Sequence, residues 1–140
     1  MWCCVGSGIE NHSKYADTIY SHNGDSLWVN LFIPSELDWQ EKDARVRMET
    51  KFPAEDFITL TVNTKKSQEL DLKIRVPYWA TQGAEVIING KKQNVESSPE
   101  SYLTLSRQWE DGDTIAVHLP MNLHLRPARD KKDLITIMYG

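Results

Sequence analysis

The sequence predicts a mainly β fold: an antiparallel β-sandwich preceded by one N-terminal α-helix. Three observations carry this expectation. Ile9, His12, Ala16, Ile19 and Tyr20 recur at helical spacing and define one face. From Leu27 onward the period falls to two, with apolar and polar residues alternating as in half-buried strands. Turn signals such as Asn89-Gly90 and Asp111-Gly112 separate short strand candidates, as in sandwich domains.

The elements follow in order. Ser7-Gly8-Ile9-Glu10 fits a capping box, with Ser7 as N-cap and Glu10 reaching back from the third helical position. Asn23-Gly24 reads as a left-handed stop, so the helix is expected from about Gly8 to His22. Leu27 to Ile33 is a strand ended by Pro34. Ala44 to Thr50, Phe57 to Asn63 and Glu69 to Val76 alternate cleanly, the last setting Leu70, Leu72, Ile74 and Val76 against Asp71, Lys73 and Arg75. Glu85 to Ile88 and Lys91 to Val95 flank Asn89-Gly90, a strong hairpin signal. Tyr102 to Arg107 and Asp113 to Leu119 flank the turn at Asp111-Gly112, and Leu123 to Arg126 and Leu134 to Tyr139 supply the last strands. No helical crossover lies between these strands, which argues against a parallel sheet.

A chain of 140 residues is long enough for one domain with a core of its own. Its 40% hydrophobic and 26% charged content is that of an ordinary globular protein. A net charge of -4 and a pI near 5.5 give no basic footprint, so no nucleic-acid partner is expected. No apolar run approaches the roughly 18 residues of a membrane span, so no membrane partner is expected either. Met1 runs straight into Trp2-Cys3-Cys4 rather than into a signal peptide. That start reads as cytosolic or as a cut into a longer protein, and a final strand running into the C-terminus again suggests a truncated boundary. Localisation stays open, with a periplasmic or secreted parent slightly favoured.

Chemistry concentrates in the only two cysteines, Cys3 and Cys4, which are adjacent. Neighbouring cysteines can bond to each other only through a strained small ring, so free thiols or metal-bound thiolates are the more natural state. Ahead of a helix N-terminus, the dipole and free N–H groups lower a thiol's pKa and would make a competent nucleophile or zinc ligand. The plain alternative is a pair of small apolar residues at a domain edge; a reversible redox pair is a third reading. Glu10 and His12 are weaker ligand candidates, because Glu10 is explained by the capping box and His12 by packing. His22, His118 and His124 have no motif context, and Asp111 and Asp113 read as turn residues. Trp28, Trp39, Trp79 and Trp109 are a sugar-stacking platform or, more simply, core and interface residues. The chain shows no Gly-rich phosphate loop and no Ser-His-Asp arrangement.

The run Cys3-Cys4-Val5-Gly6-Ser7-Gly8-Ile9-Glu10-Asn11-His12-Ser13-Lys14, followed by Leu27-Trp28-Val29-Asn30-Leu31-Phe32-Ile33-Pro34-Ser35, resembles glycoside hydrolase family 127. Ile74-Arg75-Val76-Pro77-Tyr78-Trp79, Val86-Ile87-Ile88-Asn89-Gly90-Lys91, Tyr102-Leu103-Thr104-Leu105, Trp109 with Gly112-Asp113, and Leu119-Pro120-Met121 extend the resemblance over essentially the whole chain. It implies a β-L-arabinofuranosidase-type enzyme acting on arabinose-containing glycans, with a helical catalytic barrel followed by β-sandwich domains. By the same resemblance Cys3 is the nucleophile of a retaining mechanism that passes through a thioglycosyl intermediate. Cys3 and Cys4 are both zinc ligands, together with a glutamate and a cysteine far upstream, and an upstream glutamate is the acid/base. Residues 1–25 would then be the edge of the barrel and residues 26–140 a structural sandwich domain. The partner of that sandwich would be the barrel itself. Without the upstream groups the chain alone is expected to hold no zinc and to be inert. The rival expectation is a carbohydrate-binding module using exposed tryptophans such as Trp79 and Trp109.

Overall fold

The computed structural model describes residues 3–140, and for Cys3, Cys4, Val5 and Ser13 it describes the backbone alone. One helix, α1 (Cys3–Ile19), leads into two facing sheets and a separate hairpin. The four-stranded sheet has the order β1 (Tyr20–Asn23), β2 (Ser26–Val29), β6 (Gln68–Val76), β9 (Ser101–Trp109). The six-stranded sheet has the order β3 (Ser35–Trp39), β4 (Ala44–Thr50), β5 (Phe57–Thr64), β10 (Asp113–His118), β7 (Glu85–Ile88), β8 (Lys91–Gln93). The hairpin is β11 (Leu123–Pro127) with β12 (Ile135–Tyr139). The expected mainly β fold is the observed one.

Alternation does the folding work. Leu70, Leu72, Ile74 and Val76 on β6 point inward at 0–1% exposure, and Leu103 and Leu105 on β9 join them. Val46 and Met48 on β4, Ile58, Leu60 and Val62 on β5, and Ile115 and Val117 on β10 close the core from the other sheet. Each such side chain removed from water contributes about 1.5–3 kcal/mol of hydrophobic free energy.

Local signals misled in four places. The helix starts at Cys3, ahead of Ser7, so Ser7 and Glu10 lie inside it and form no N-terminal capping box. It also stops at Ile19, because Tyr20 to Asn23 pair antiparallel with β2 instead of continuing the helical period. Gly24, at φ +60°, opens the two-residue turn of that hairpin rather than capping a helix. Leu27 to Ile33 is a strand only as far as Val29, and Ser35–Trp39 is a strand that its Ser, Glu and Asp hide from propensity reasoning. It exists because it pairs with β4 from Ser35↔Met48 to Trp39↔Ala44.

The sheets are antiparallel except for β2 and β6, which run parallel from Ser26↔Asp71 to Val29↔Ile74. A parallel pair needs a crossover of a dozen or more residues, usually a helix. Here β3, β4 and β5 supply it by crossing to the other sheet, a route that strand patterning alone does not reveal. Likewise β9 and β10 flank the turn at Gly112 without pairing, since they lie in different sheets. The Asn89-Gly90 hairpin forms as expected, with φ +49° and +76° joining Ile88 to Lys91.

Candidate functional site

The paired cysteines occupy the first turn of α1, where backbone N–H groups have no intrahelical acceptor and the dipole's positive end lies. Their side chains, and with them the expected nucleophile Cys3 and the expected zinc ligands Cys3 and Cys4, lie outside the described residues. Along the helix, the face read as apolar is turned to solvent: Ile9 is 73% exposed and Tyr15 45%, with Ile19 alone of the described face buried. His12 is exposed as well and meets only the edge of Tyr15 at 5.8 Å, so it is not the packed histidine expected.

The helix is held at its C-terminal end, and the residue that holds it is Asn30. Its backbone N–H donates to Ile19 O at 2.9 Å. Its side-chain amide donates to Thr18 O at 3.2 Å and to Ser21 Oγ at 3.1 Å. Its side-chain oxygen accepts from Tyr102 Oη at 2.8 Å, across on β9. One side chain therefore ties the end of α1, strand β1 and strand β9 together. Sequence reasoning passed over it as one more strand residue, although asparagine is depleted in strands and an Asn in such a run is a signal.

The remaining candidates divide into structural and open cases. His118 lies between two carboxylates, with Nε2 3.0 Å from Asp56 and Nδ1 3.4 Å from Glu85, and stacks on Phe57 at 4.4 Å. It joins β10, β7 and the start of β5, as an outward strand residue can. Lys92 and His118 hydrogen-bond Glu85 and hold its carboxyl below the usual range. Asp111 and Asp113 are turn residues, as expected. Asp111 accepts from the Thr64 N–H at 3.2 Å, and Asp113 accepts from the Glu110 N–H at 3.0 Å and the Asn89 amide at 2.6 Å. Burial alone would raise the Asp113 carboxyl, but those two donors and the Arg107 charge more than offset it and hold it low.

The four tryptophans do not share a surface. Trp109 and Trp39 are buried at 0% and 2% exposure, whereas Trp28 and Trp79 are half-buried. Trp28 carries the Lys73 ammonium 4.5 Å above its ring. Trp79 stacks on Phe52 at 5.9 Å and lines a cleft of about 430 Å³ with Tyr78, Gln82, Asn122 and His124. The His124 ring completes the wall, its Nδ1 donating to Asn122 O at 3.2 Å and its Nε2 enclosed without a protein partner. A larger groove of about 690 Å³, between Asp38, Asp43, Arg45, Lys65 and Asp111, contains neither thiol nor histidine. Its Asp43 is paired with Lys65, whose hydrogen bond holds the Asp43 carboxyl low. Among the described residues no three His, Cys, Asp or Glu side chains converge as a metal site.

A sandwich with a helix docked on one edge, and a cysteine pair at that helix's far end, defines an accessory β-domain joined to a helical element. A family model described as "Beta-L-arabinofuranosidase, GH127 middle domain" matches residues 26–121, and the chain belongs to that family. By family, the sandwich is a glycoside hydrolase accessory domain. The fold is similar to that of a GH127 β-L-arabinofuranosidase from Geobacillus stearothermophilus T6. That comparison gives 26% identity and a TM-score of 0.86 over 99% of this chain and 23% of the enzyme. Two further solved structures share the fold. One is a glycoside hydrolase at 21% identity and TM-score 0.89, over 99% of this chain and 24% of its own. The other is a GH127 β-arabinofuranosidase at 23% identity and TM-score 0.73, over 87% of this chain and 22% of its own. This chain thus spans about a quarter of the length of the structures it matches. No curated protein sequence matches it.

Proposed function

We propose that this chain is the junction segment of a retaining, zinc-cysteine glycoside hydrolase acting on arabinose-containing glycans. Residues 1–25 form the edge of the catalytic barrel and residues 26–140 its structural sandwich domain. The observation that carries the reading is the adjacent Cys3-Cys4 pair opening the one helix that leads into a GH127 middle domain. The donor type fits zinc, which takes thiolates at about 2.3 Å, but a tetrahedral site needs two more ligands than this pair supplies. On this reading Cys3 and Cys4 would hold the metal with a glutamate and a cysteine upstream, and bound zinc would keep the thiols deprotonated. Cys3 attacks the anomeric carbon, the glycosidic bond breaks as an upstream acid protonates the leaving oxygen, and water then displaces the sulfur.

The test uses the longer polypeptide. Cys3→Ser is expected to abolish arabinose release, and Cys4→Ser to remove bound zinc as measured by atomic absorption. The 140-residue chain alone is expected to release no arabinose. Turnover by either the Cys3→Ser enzyme or the isolated chain would falsify the assignment.

The second reading, a carbohydrate-binding module, is favoured by one observation only: the Tyr78, Trp79 and His124 cleft. Trp109 cannot serve it, being fully buried. Titration with arabinan oligosaccharides is expected to show no binding if the sandwich is scaffold. Saturable binding that disappears in Trp79→Ala, with the melting temperature unchanged, would favour the module instead.

A further inference from the structure

The hairpin β11–β12 faces the wrong way for a part of this sandwich. Its register pairs Leu123 with Tyr139, Leu125 with Ile137 and Pro127 with Ile135, so these six residues share one face. All are open to solvent: Leu123 74%, Leu125 60%, Ile135 50%, Ile137 70% and Tyr139 64%, with Pro127 also exposed. The opposite face carries His124, Arg126, Thr136 and Met138, and it is this polar face that meets the domain. Arg126 lies 5.5 Å from the Tyr78 ring centre, and His124 meets the same ring edge-on at 6.4 Å. A strand pair normally buries its apolar face and solvates its polar one. A two-stranded hairpin is also marginal in water without a third strand or a packed face.

We infer that β11–β12 is the opening hairpin of a further sheet in the same polypeptide. The sheet is completed by a strand that follows Gly140, pairs along the free edge of β12 and belongs to a unit covering the Leu125/Ile137 face. Three observations select this occupant over a second copy. The family's middle-domain match stops at residue 121, which leaves the hairpin outside that unit. The solved structures that match 99% of this chain, hairpin included, are about four times its length. Consecutive strands are neighbours roughly two-thirds of the time, which places the next strand beside β12. The six-residue face is free of charge, whereas the connecting loop holds Arg129, Asp130, Lys131, Lys132 and Asp133, as a tip in water would. The inference rests on the chain being a segment of a longer polypeptide, but not on the cysteine chemistry.

The experiment takes the longest reading frame that encodes this chain, beside the 140-residue chain. Leu125→Asp with Ile137→Asp is expected to leave the melting temperature of the short chain unchanged and to lower that of the long one by about 5 °C or more. The milder Leu125→Thr with Ile137→Thr gives the same contrast at smaller size if the aspartates prevent folding. In the unmutated long protein, the outward β12 amides exchange with solvent at least tenfold more slowly than in the short chain. A frame ending at Gly140, equal β12 exchange in both proteins, or no shift in the long one overturns the inference. A concentration-dependent dimer of the short chain, lost in the aspartate variant, also overturns it and assigns the face to a second copy. Zinc content and arabinose release of the long protein, measured in parallel, report separately on Cys3 and Cys4.

Discussion

Trp109→Ala is expected to cost about 3–5 kcal/mol, the largest loss from any single truncation in this domain. Typical domains hold only ~5–15 kcal/mol in total, so a substantial part of the fold's margin disappears. Trp109 ends β9 opposite Gln68, at 0% exposure, where the chain turns from one sheet to the other. Its indole N–H donates to Leu70 O at 2.9 Å, inside the core. Two losses therefore combine: the cavity left by an indole, and a carbonyl acceptor left without that donor. Arg107, 5.1 Å from the ring centre, adds a smaller exposed-side contribution of ~0.5–1 kcal/mol. The measurement is urea unfolding followed by far-ultraviolet circular dichroism, which does not depend on the deleted fluorophore. The midpoint should fall while the slope stays the same. Trp109→Phe keeps most of the volume and loses the hydrogen bond, so it should fall between the two. A loss below about 1 kcal/mol for the alanine variant would show that the site collapses onto itself.

How much of this was readable in advance depends on the range of the interaction. The inward faces of β4, β5, β6 and β10 follow from period two, because one side of each strand must leave water. The Asn89-Gly90 hairpin follows from backbone sterics, since both residues adopt positive φ there. What failed was set at long range. Tyr20 to Asn23 continue a helical pattern, yet become strand because β2 is there to pair with them. Ser35–Trp39 has a polar sequence and exists through β4. The parallel β2–β6 pair requires knowing that the intervening strands cross to the opposite sheet. The site divides in the same way. The cysteine pair and its place at a helix start are local features and could be read. Asn30 could not, because its partners Thr18, Ser21 and Tyr102 are 12, 9 and 72 positions away.

Asn30→Ala is the second expected large effect, and it separates holding the helix from holding the sandwich. The substitution removes two donors, to Thr18 O and Ser21 Oγ, and one acceptor, for Tyr102 Oη. Each such bond is worth about 0.5–1.5 kcal/mol net, and these groups are partly open to water, so the global cost should be ~1–3 kcal/mol. The local cost is larger in proportion, because the described part of α1 buries only Ile19 against the domain. With the side-chain clamp gone, what remains there is chiefly the Asn30 N–H to Ile19 O bond and that one side chain. Amides of the last turns of α1 should then exchange at least tenfold faster, while those of β5 and β6 slow or quicken only with global stability. Asn30→Asp is the sharper variant: it keeps an acceptor for Tyr102 but replaces the amide donors with a carboxylate facing the Thr18 carbonyl. Its helix should loosen as much as in Asn30→Ala while the Tyr102 contact survives. On the proposed reading the consequence reaches Cys3 and Cys4, roughly 25 Å away along a helix of 17 residues. A helix released at one end lets its other end swing, and displacements near 1 Å can cost about a hundredfold in rate. The longer enzyme carrying Asn30→Ala should thus lose kcat with KM and zinc content little changed. Unchanged exchange in α1 would sink the clamp, whatever happens to the rate.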